Sequence, residues 1–304
     1  MFELTRDDIV ALIEANLDSK RIKLDFSGLN LALLDLSGLK LSNANFQNAN
    51  LTGVKLNNSE LRSVNFKNAK IENADLSETD CIGAIFKGAI LANCKLTKSD
   101  LHRGNFSNCN IQNSDLSNVD FYKANFSCCT ISNSIFKQSK FRFATFHKST
   151  IIQSLFAGVD FSEATIKNCN MKKNNFHSSA FNKINCINTD FSFSNFNGSY
   201  FNESNLKKST FYFSLFSSSI IGKVNFYKSH FYETYFSGAT IRESNFYKTN
   251  SGNILEFEII KFKDCIFTNS SIVKILNYHY QKNKDDFYSI LLWLVIIYVL
   301  YFSL

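Results

Sequence analysis

The sequence predicts an all-β solenoid, a four-sided parallel β-helix of about 11–12 coils, and three observations predict it. First, every fifth residue from Phe26 to Phe246 is apolar: 23 Phe, 12 Leu, 7 Ile, 2 Cys and 1 Met fill the 45 positions. An amphipathic helix repeats at about 3.6 residues and a half-buried strand at two, so neither explains a period of five. Second, like residues recur at twenty. Phe26, Phe46, Phe66, Phe86, Phe106, Phe126 and Phe146 form one column, and Leu31, Leu51, Ile71, Leu91, Ile111, Ile131 and Ile151 form another. A period of twenty divided by five gives four faces. Third, the 304 residues include no proline. Proline cannot donate to a backbone ladder, so its absence suits long continuous pairing.

The repeat unit has an internal order. Two residues before each core position stands a mostly small residue, as at Ala44, Ala49, Val54, Ser59, Val64, Ala69 and Ala74. Between them lies Asn or Asp in many units, including Asn45, Asn50, Asn65, Asp75 and Asp80. A second large inward side chain per face would overfill the interior, which explains the small series. The segments "ANFQN", "ANLTG", "ADLSE" and "ANFSC" show the pattern as it stands. It resembles the pentapeptide-repeat family, whose signature is A-(D/N)-L-x-x, over roughly residues 24–273. The resemblance implies a right-handed coil with one pentapeptide per side. At about 4.8 Å per coil, eleven coils make a rod on the order of 50 Å long.

A solenoid needs caps, because an open end exposes apolar core and unpaired edges. Residues 4–19, within an N-terminal capping segment 1–23, read as a helix on a widened first coil. Thr5 and Asp8 form a variant of the capping box, and Leu4 with Ile9 stand at staple positions. Ile9, Leu12, Ile13 and Leu17 make one apolar stripe, and leucines replace the small residue at Leu24, Leu29, Leu34 and Leu39. At the other end the register fails at Ser251 and resumes one residue late at Phe257, Phe262, Phe267 and Ile272. The extra residue is expected between residues 247 and 256, where "NSGN" has turn composition.

A polar spacer, residues 274–286, leads to "FYSILLWLVIIYVLYFSL", residues 287–304, which carries no charge. As a helix it spans about 27 Å, close to the hydrocarbon thickness of a bilayer. Trp293, Tyr298 and Tyr301 are aromatics of the kind found at membrane interfaces. A transmembrane helix is therefore expected, against the alternative of an apolar helix packed on the rod. A capping helix would carry a polar outer face, and this segment is apolar all round. Met1 to Lys23 contains no apolar run of signal-peptide length. The expected placement is a single-pass membrane protein with its repeat domain in the cytosol.

No catalytic chemistry is legible. His102, His147, His177, His230 and His279 lack partners at catalytic spacing, and no cofactor or metal is expected. Cys81, Cys94, Cys109, Cys129, Cys169, Cys186 and Cys265 fall on inward positions, where cysteine serves as a small hydrophobe, and Cys128 alone faces outward. Asp75, Glu78 and Asp80 cluster in the sequence, but acid–base catalysis needs a pocket and a shifted pKa.

One surface feature stands apart. Lys208, Lys228 and Lys248 recur at twenty-residue intervals beside Lys207, Tyr227 and Tyr247, and the next face adds Phe193, Phe213, Tyr212 and Tyr232. These are either solvated lysines or a basic–aromatic strip for an anionic surface or a protein partner. The sequence thus points to a non-enzymatic, membrane-anchored scaffold presenting a rigid surface to a protein or to anionic lipid. The resemblance also brings in some bacterial effectors, and pentapeptide proteins that inhibit gyrase by imitating acidic duplex DNA. The gyrase alternative is disfavoured because residues 24–274 hold 27 Lys/Arg against 19 Asp/Glu. The cations are too diffuse to favour specific nucleic-acid binding.

Overall fold

A computed structural model of the chain describes residues 4–19, 24–251 and 261–263. Residues 24–251 wind into a parallel solenoid whose pairing partners lie twenty residues apart. One column of bridges runs Asp25, Asn45, Asn65, Ile85, Asn105, Asn125, Thr145, Thr165, Asn185, Asn205, Asn225 and Asn245. Three more columns start at Asn30, Asp35 and Lys40, which gives the four faces. The strands are short. On the second face Lys70–Glu72, Ile90–Ala92, Asn110–Gln112, Thr130–Ser132 and Thr150–Ile152 pair in parallel, with Ile71, Leu91, Ile111, Ile131 and Ile151 in one row.

The core positions are all inside. Along the first column the phenylalanine rings stack from Phe26 to Phe146, with centroids 4.7 Å apart at Phe106–Phe126 and 5.3 Å at Phe46–Phe66. Where phenylalanine also occupies adjacent faces, rings meet edge to face, as at Phe106–Phe121, 5.7 Å and 76°. Both geometries suit the ring quadrupole.

Corners require a backbone that strands do not supply. Every fifth residue from Gly28 to Lys248 has positive φ, two residues after each core position. Asn and Gly, which tolerate this region, occupy many of these positions, but Lys98, Glu163 and Phe193 adopt it too. The left-handed residue turns the chain from one face to the next.

The small inward series does more than leave room. Ser139 Oγ donates to the Leu116 carbonyl of the preceding coil at 2.7 Å and accepts the Val119 N–H at 3.1 Å. Ser179 repeats both bonds, to Phe156 at 2.6 Å and from Val159 at 3.1 Å. Buried hydroxyls therefore staple each coil to the one before.

The helix α1, Arg6–Ser19, closes the first coil. Thr5 caps it: its N–H and Oγ donate to the Asp8 carboxylate at 2.8 and 2.7 Å, and Asp8 N–H returns a bond to Thr5 Oγ at 3.2 Å. Ile9 and Ile13 are buried in the core, and Leu4, Leu34 and Leu39 pack against it. The expected stripe is narrower than the sequence suggests, because Leu12 is 38% exposed. Ile9 and Ile13 of the stripe meet the coil, and the Leu17 side chain lies outside the described residues. Arg6 ties the helix down by donating to the carbonyls of Asp35 and Ser37.

At the far end, Thr240, Ile241 and Arg242 pair with Lys261, Phe262 and Lys263, an offset of twenty-one. Asn250 still pairs with His230 at twenty. Residues 252–260, the spacer 274–286 and the apolar segment 287–304 with Trp293, Tyr298 and Tyr301 lie outside the described residues. Among the described residues no helix is long and apolar enough to cross a membrane.

Candidate interaction surface

The aromatic–lysine strip lies along the two edges of one face. On the first edge Lys208, Lys228 and Lys248 occupy left-handed corner positions, with φ of 56°, 57° and 56°. All three are exposed and Lys207 is half-buried. The amines turn back over their neighbours: Lys228 Nζ stands 5.3 Å from the Tyr227 ring centroid, and Lys248 Nζ 5.1 Å from that of Tyr247. Those two tyrosines stack at 5.7 Å. Cation–π attraction thus offsets part of the repulsion between stacked lysines.

On the second edge four aromatics form one cluster. Phe193 and Phe213 stack at 4.9 Å and 7°, Phe213 meets Tyr232 edge-on at 5.6 Å, and Tyr212 meets Tyr232 at 6.0 Å. Glu233, through a hydrogen bond and its charge, pushes the Tyr232 phenol above its ordinary value. Phe193 is 52% exposed although it sits at a left-handed position. A bulky side chain there costs on the order of 1–2 kcal/mol relative to glycine, and exposure recovers little of it. Beside Phe193 a shallow open depression of about 470 Å³ is lined by Ile135, Leu155, Lys173 and Asn175. The structure therefore gathers the expected residues into two groups, with Thr210 and His230 on the face between them.

The other sequence candidates separate. Asp75 and Glu78 pair with Lys95 and Lys98 at 3.9 and 3.1 Å, whereas Asp80 belongs to the next face and pairs with Arg62 at 2.6 Å. His102 has no partner at catalytic spacing in the sequence, and in the fold its Nδ1 lies 2.5 Å from Asp100 and 3.8 Å from Asp120. Asp120 is visible only through the twenty-residue stack. The depressions beside Phe193 and beside Tyr200 are lined by other residues. Nor does any cluster of three or more His, Cys, Asp or Glu there have an arrangement that could hold a metal ion. Burial pushes the thiols of Cys81, Cys109 and Cys186 up to about 12, and Cys128 is exposed.

Comparison with known proteins agrees with this architecture. Two family models described as pentapeptide repeats match residues 30–68, 65–103 and 105–138, and residues 196–240, together about half of the chain. No curated protein matches. Among solved structures, HetL from Nostoc sp. strain PCC 7120, a pentapeptide repeat protein involved in heterocyst differentiation regulation, is 16% identical. The match covers 88% of this chain and 94% of that one with a TM-score of 0.42. Trypsin-treated QnrB1, a plasmid-mediated fluoroquinolone resistance protein, is 16% identical over 57% of this chain and 90% of its own, TM-score 0.43. Rfr23 from Cyanothece 51142 is 23% identical over 41% and 99%, TM-score 0.37. With the repeat, the twenty-residue ladder and the family models in agreement, the chain belongs to the pentapeptide-repeat family.

Proposed function

We propose that this protein is a non-enzymatic scaffold, held at a membrane by residues 287–304, that offers the aromatic–lysine strip to a macromolecular partner. The observation that carries the reading is the strip itself: stacked phenylalanines 4.9 Å apart and stacked tyrosines under lysine amines on the two edges of one face. A rigid solenoid holds such groups in fixed register, so little ordering cost opposes binding. The apolar segment supports the placement, because eighteen uncharged residues match a bilayer's hydrocarbon thickness. Lys207, Lys208, Lys228 and Lys248 would then lie near the headgroups, where each basic residue contributes about 1 kcal/mol at an anionic leaflet. Fractionation of the full chain beside a version ending at Asp286 tests the reading. The full chain is expected in the membrane fraction after high-salt and carbonate washing, and the shorter chain in the supernatant. Equal distribution of the two would overturn the anchoring. Crosslinking from the Tyr212 and Tyr232 positions then reports what the strip touches, and an unaltered crosslink pattern after Phe193→Ser and Phe213→Ser would remove the strip's role.

A further inference from the structure

The outward charge of the solenoid is divided unevenly among its corners. The corner that follows the Phe26–Phe246 column carries the four strip lysines and, nearer the N-terminal helix, Lys67, Lys87, Lys148 and Lys167. From Ser27 to Lys248 the two positions of this corner hold no Asp or Glu at all. The other three corners mix signs, and their cations are widely neutralised, as in Lys98–Glu78, Arg142–Glu163, Lys183–Glu203 and Lys223–Glu243. None of the eight first-corner lysines has a carboxylate at ion-pair distance among the described residues. All are exposed or half-buried. The columns on either side are mainly Asn and Thr, with Asp25 and Asp190 as their carboxylates and Asp190 held by Lys172, so little beside the row cancels it.

We infer that this lysine ridge, over its whole length, is a docking edge for the anionic surface of a lipid bilayer, and that the rod lies along the membrane rather than standing from it. The inference rests on the membrane reading above for bringing a bilayer within reach. Three observations favour a bilayer over a nucleic acid. From Lys67 to Lys248 the row spans nine coil rises, about 43 Å at about 4.8 Å each. The column pairs residues twenty apart without a break from Asp25 to Asn245, so the lysines stack in one row along one side of the rod. Such a row meets a plane along its length but meets the winding phosphate strands of a duplex only where they cross. The ridge contains no arginine, the residue suited to bidentate phosphate recognition, only lysine point charges that suit mobile headgroups. Tyr227 and Tyr247, amphipathic rings, are its aromatic members.

The ridge carries its own reporter. Cys128, exposed and at a left-handed position of the same corner, lies between Lys87 and Lys148. Full-length protein is mixed with vesicles of phosphatidylcholine alone or with phosphatidylserine added. Flotation is measured, and the alkylation rate is read on the peptide that contains Cys128. Alkylation is expected to slow severalfold on the anionic vesicles alone and to recover with salt. Replacing Lys67, Lys87, Lys148 and Lys167 with Gln should abolish that protection and weaken the preference for anionic vesicles by about fivefold per lysine. The equally uncharging set Lys55→Gln, Lys98→Gln, Lys183→Gln and Lys223→Gln, on other corners and faces, should retain protection. Equal alkylation on both vesicles in protein that still floats overturns the ridge and leaves the anchoring intact. Failure to float with either vesicle, with Cys128 protected by duplex DNA instead, overturns both readings in favour of nucleic acid. Loss of protection by the control set would assign the effect to net charge and also overturn the ridge.

Discussion

Ser139 Oγ lies 2.7 Å from the carbonyl oxygen of Leu116, twenty-three residues earlier and one coil away. Both groups are buried, and the same hydroxyl accepts the Val119 N–H. Serine at this position is therefore a connector between coils as well as a small filler. Ser139→Ala preserves the volume class but strips partners from buried backbone groups, which costs about 1–3 kcal/mol. Denaturant titration should show a lower midpoint with little change in slope. A midpoint equal to that of the parent would mean that the hydroxyl adds nothing beyond its size.

Phe106 is held on three sides, by Phe86 at 4.8 Å, Phe126 at 4.7 Å and Phe121 edge-on. Each coil contacts only its neighbours, so there is no distant packing to compensate for a hole. Phe106→Ala should cost about 3–5 kcal/mol. Gln112, whose amide bonds only to Asn110 at 2.9 Å, should tolerate Ala within about 0.5 kcal/mol. Comparable melting temperatures for the two variants would contradict the inward and outward assignment.

The periods of five and twenty made the solenoid legible, because a buried residue must recur once per face and like side chains stack best on like. The corner backbone was not legible. Its left-handed residues include Lys123, Glu203 and Phe213 beside the expected Asn and Gly, since the coil imposes the conformation on whatever residue arrives there. Contacts across coils were equally hidden. The pairing of His102 with Asp120 spans eighteen residues and appears only once the stack is built. The lysine ridge was visible only near its end, because its members alternate between the two corner positions, Lys67 and Lys167 at one, Lys148 and Lys248 at the other.

Cys128 and Cys129 are adjacent in sequence but opposite in environment. Cys128 is exposed, whereas Cys129 is buried, with burial pushing its thiol far above the ordinary range. Alkylation proceeds through the thiolate, so reaction requires both access and ionisation. At pH 8 a thiol-specific reagent should modify Cys128 and leave Cys81, Cys94, Cys109, Cys129, Cys169 and Cys186 untouched until the coils unfold. Peptide-resolved mass spectrometry checks this, and early modification of Cys129 would show that the middle coils open.

The N-terminal cap should be the acid-sensitive part of the rod. Asp8 is held below its ordinary value by the Thr5 hydroxyl and backbone bonds. Asp35 is held below its own by the Ser37 hydroxyl and N–H, with smaller contributions from Lys55 and Arg6. A carboxylate depressed in the folded state binds fewer protons than in the unfolded chain, so stability rises with pH. The contribution is complete above the unfolded Asp value and is lost as pH falls through the lower folded value. Both carboxylates secure α1 to the first coil, one through the helix cap and the other beneath Arg6. Amide protection across Ile9 to Ile13, taken relative to the unstructured exchange rate at each pH, should therefore fall on acidification below the ordinary carboxylate range, before that of the amides near Leu101. Asp8→Asn keeps an acceptor but removes the charge that favours a helix N-terminus. It should lower protection at neutral pH and flatten the acid response of α1. An acid profile for Asp8→Asn that overlays the parent's would show that the cap carboxylate does not govern this end of the solenoid.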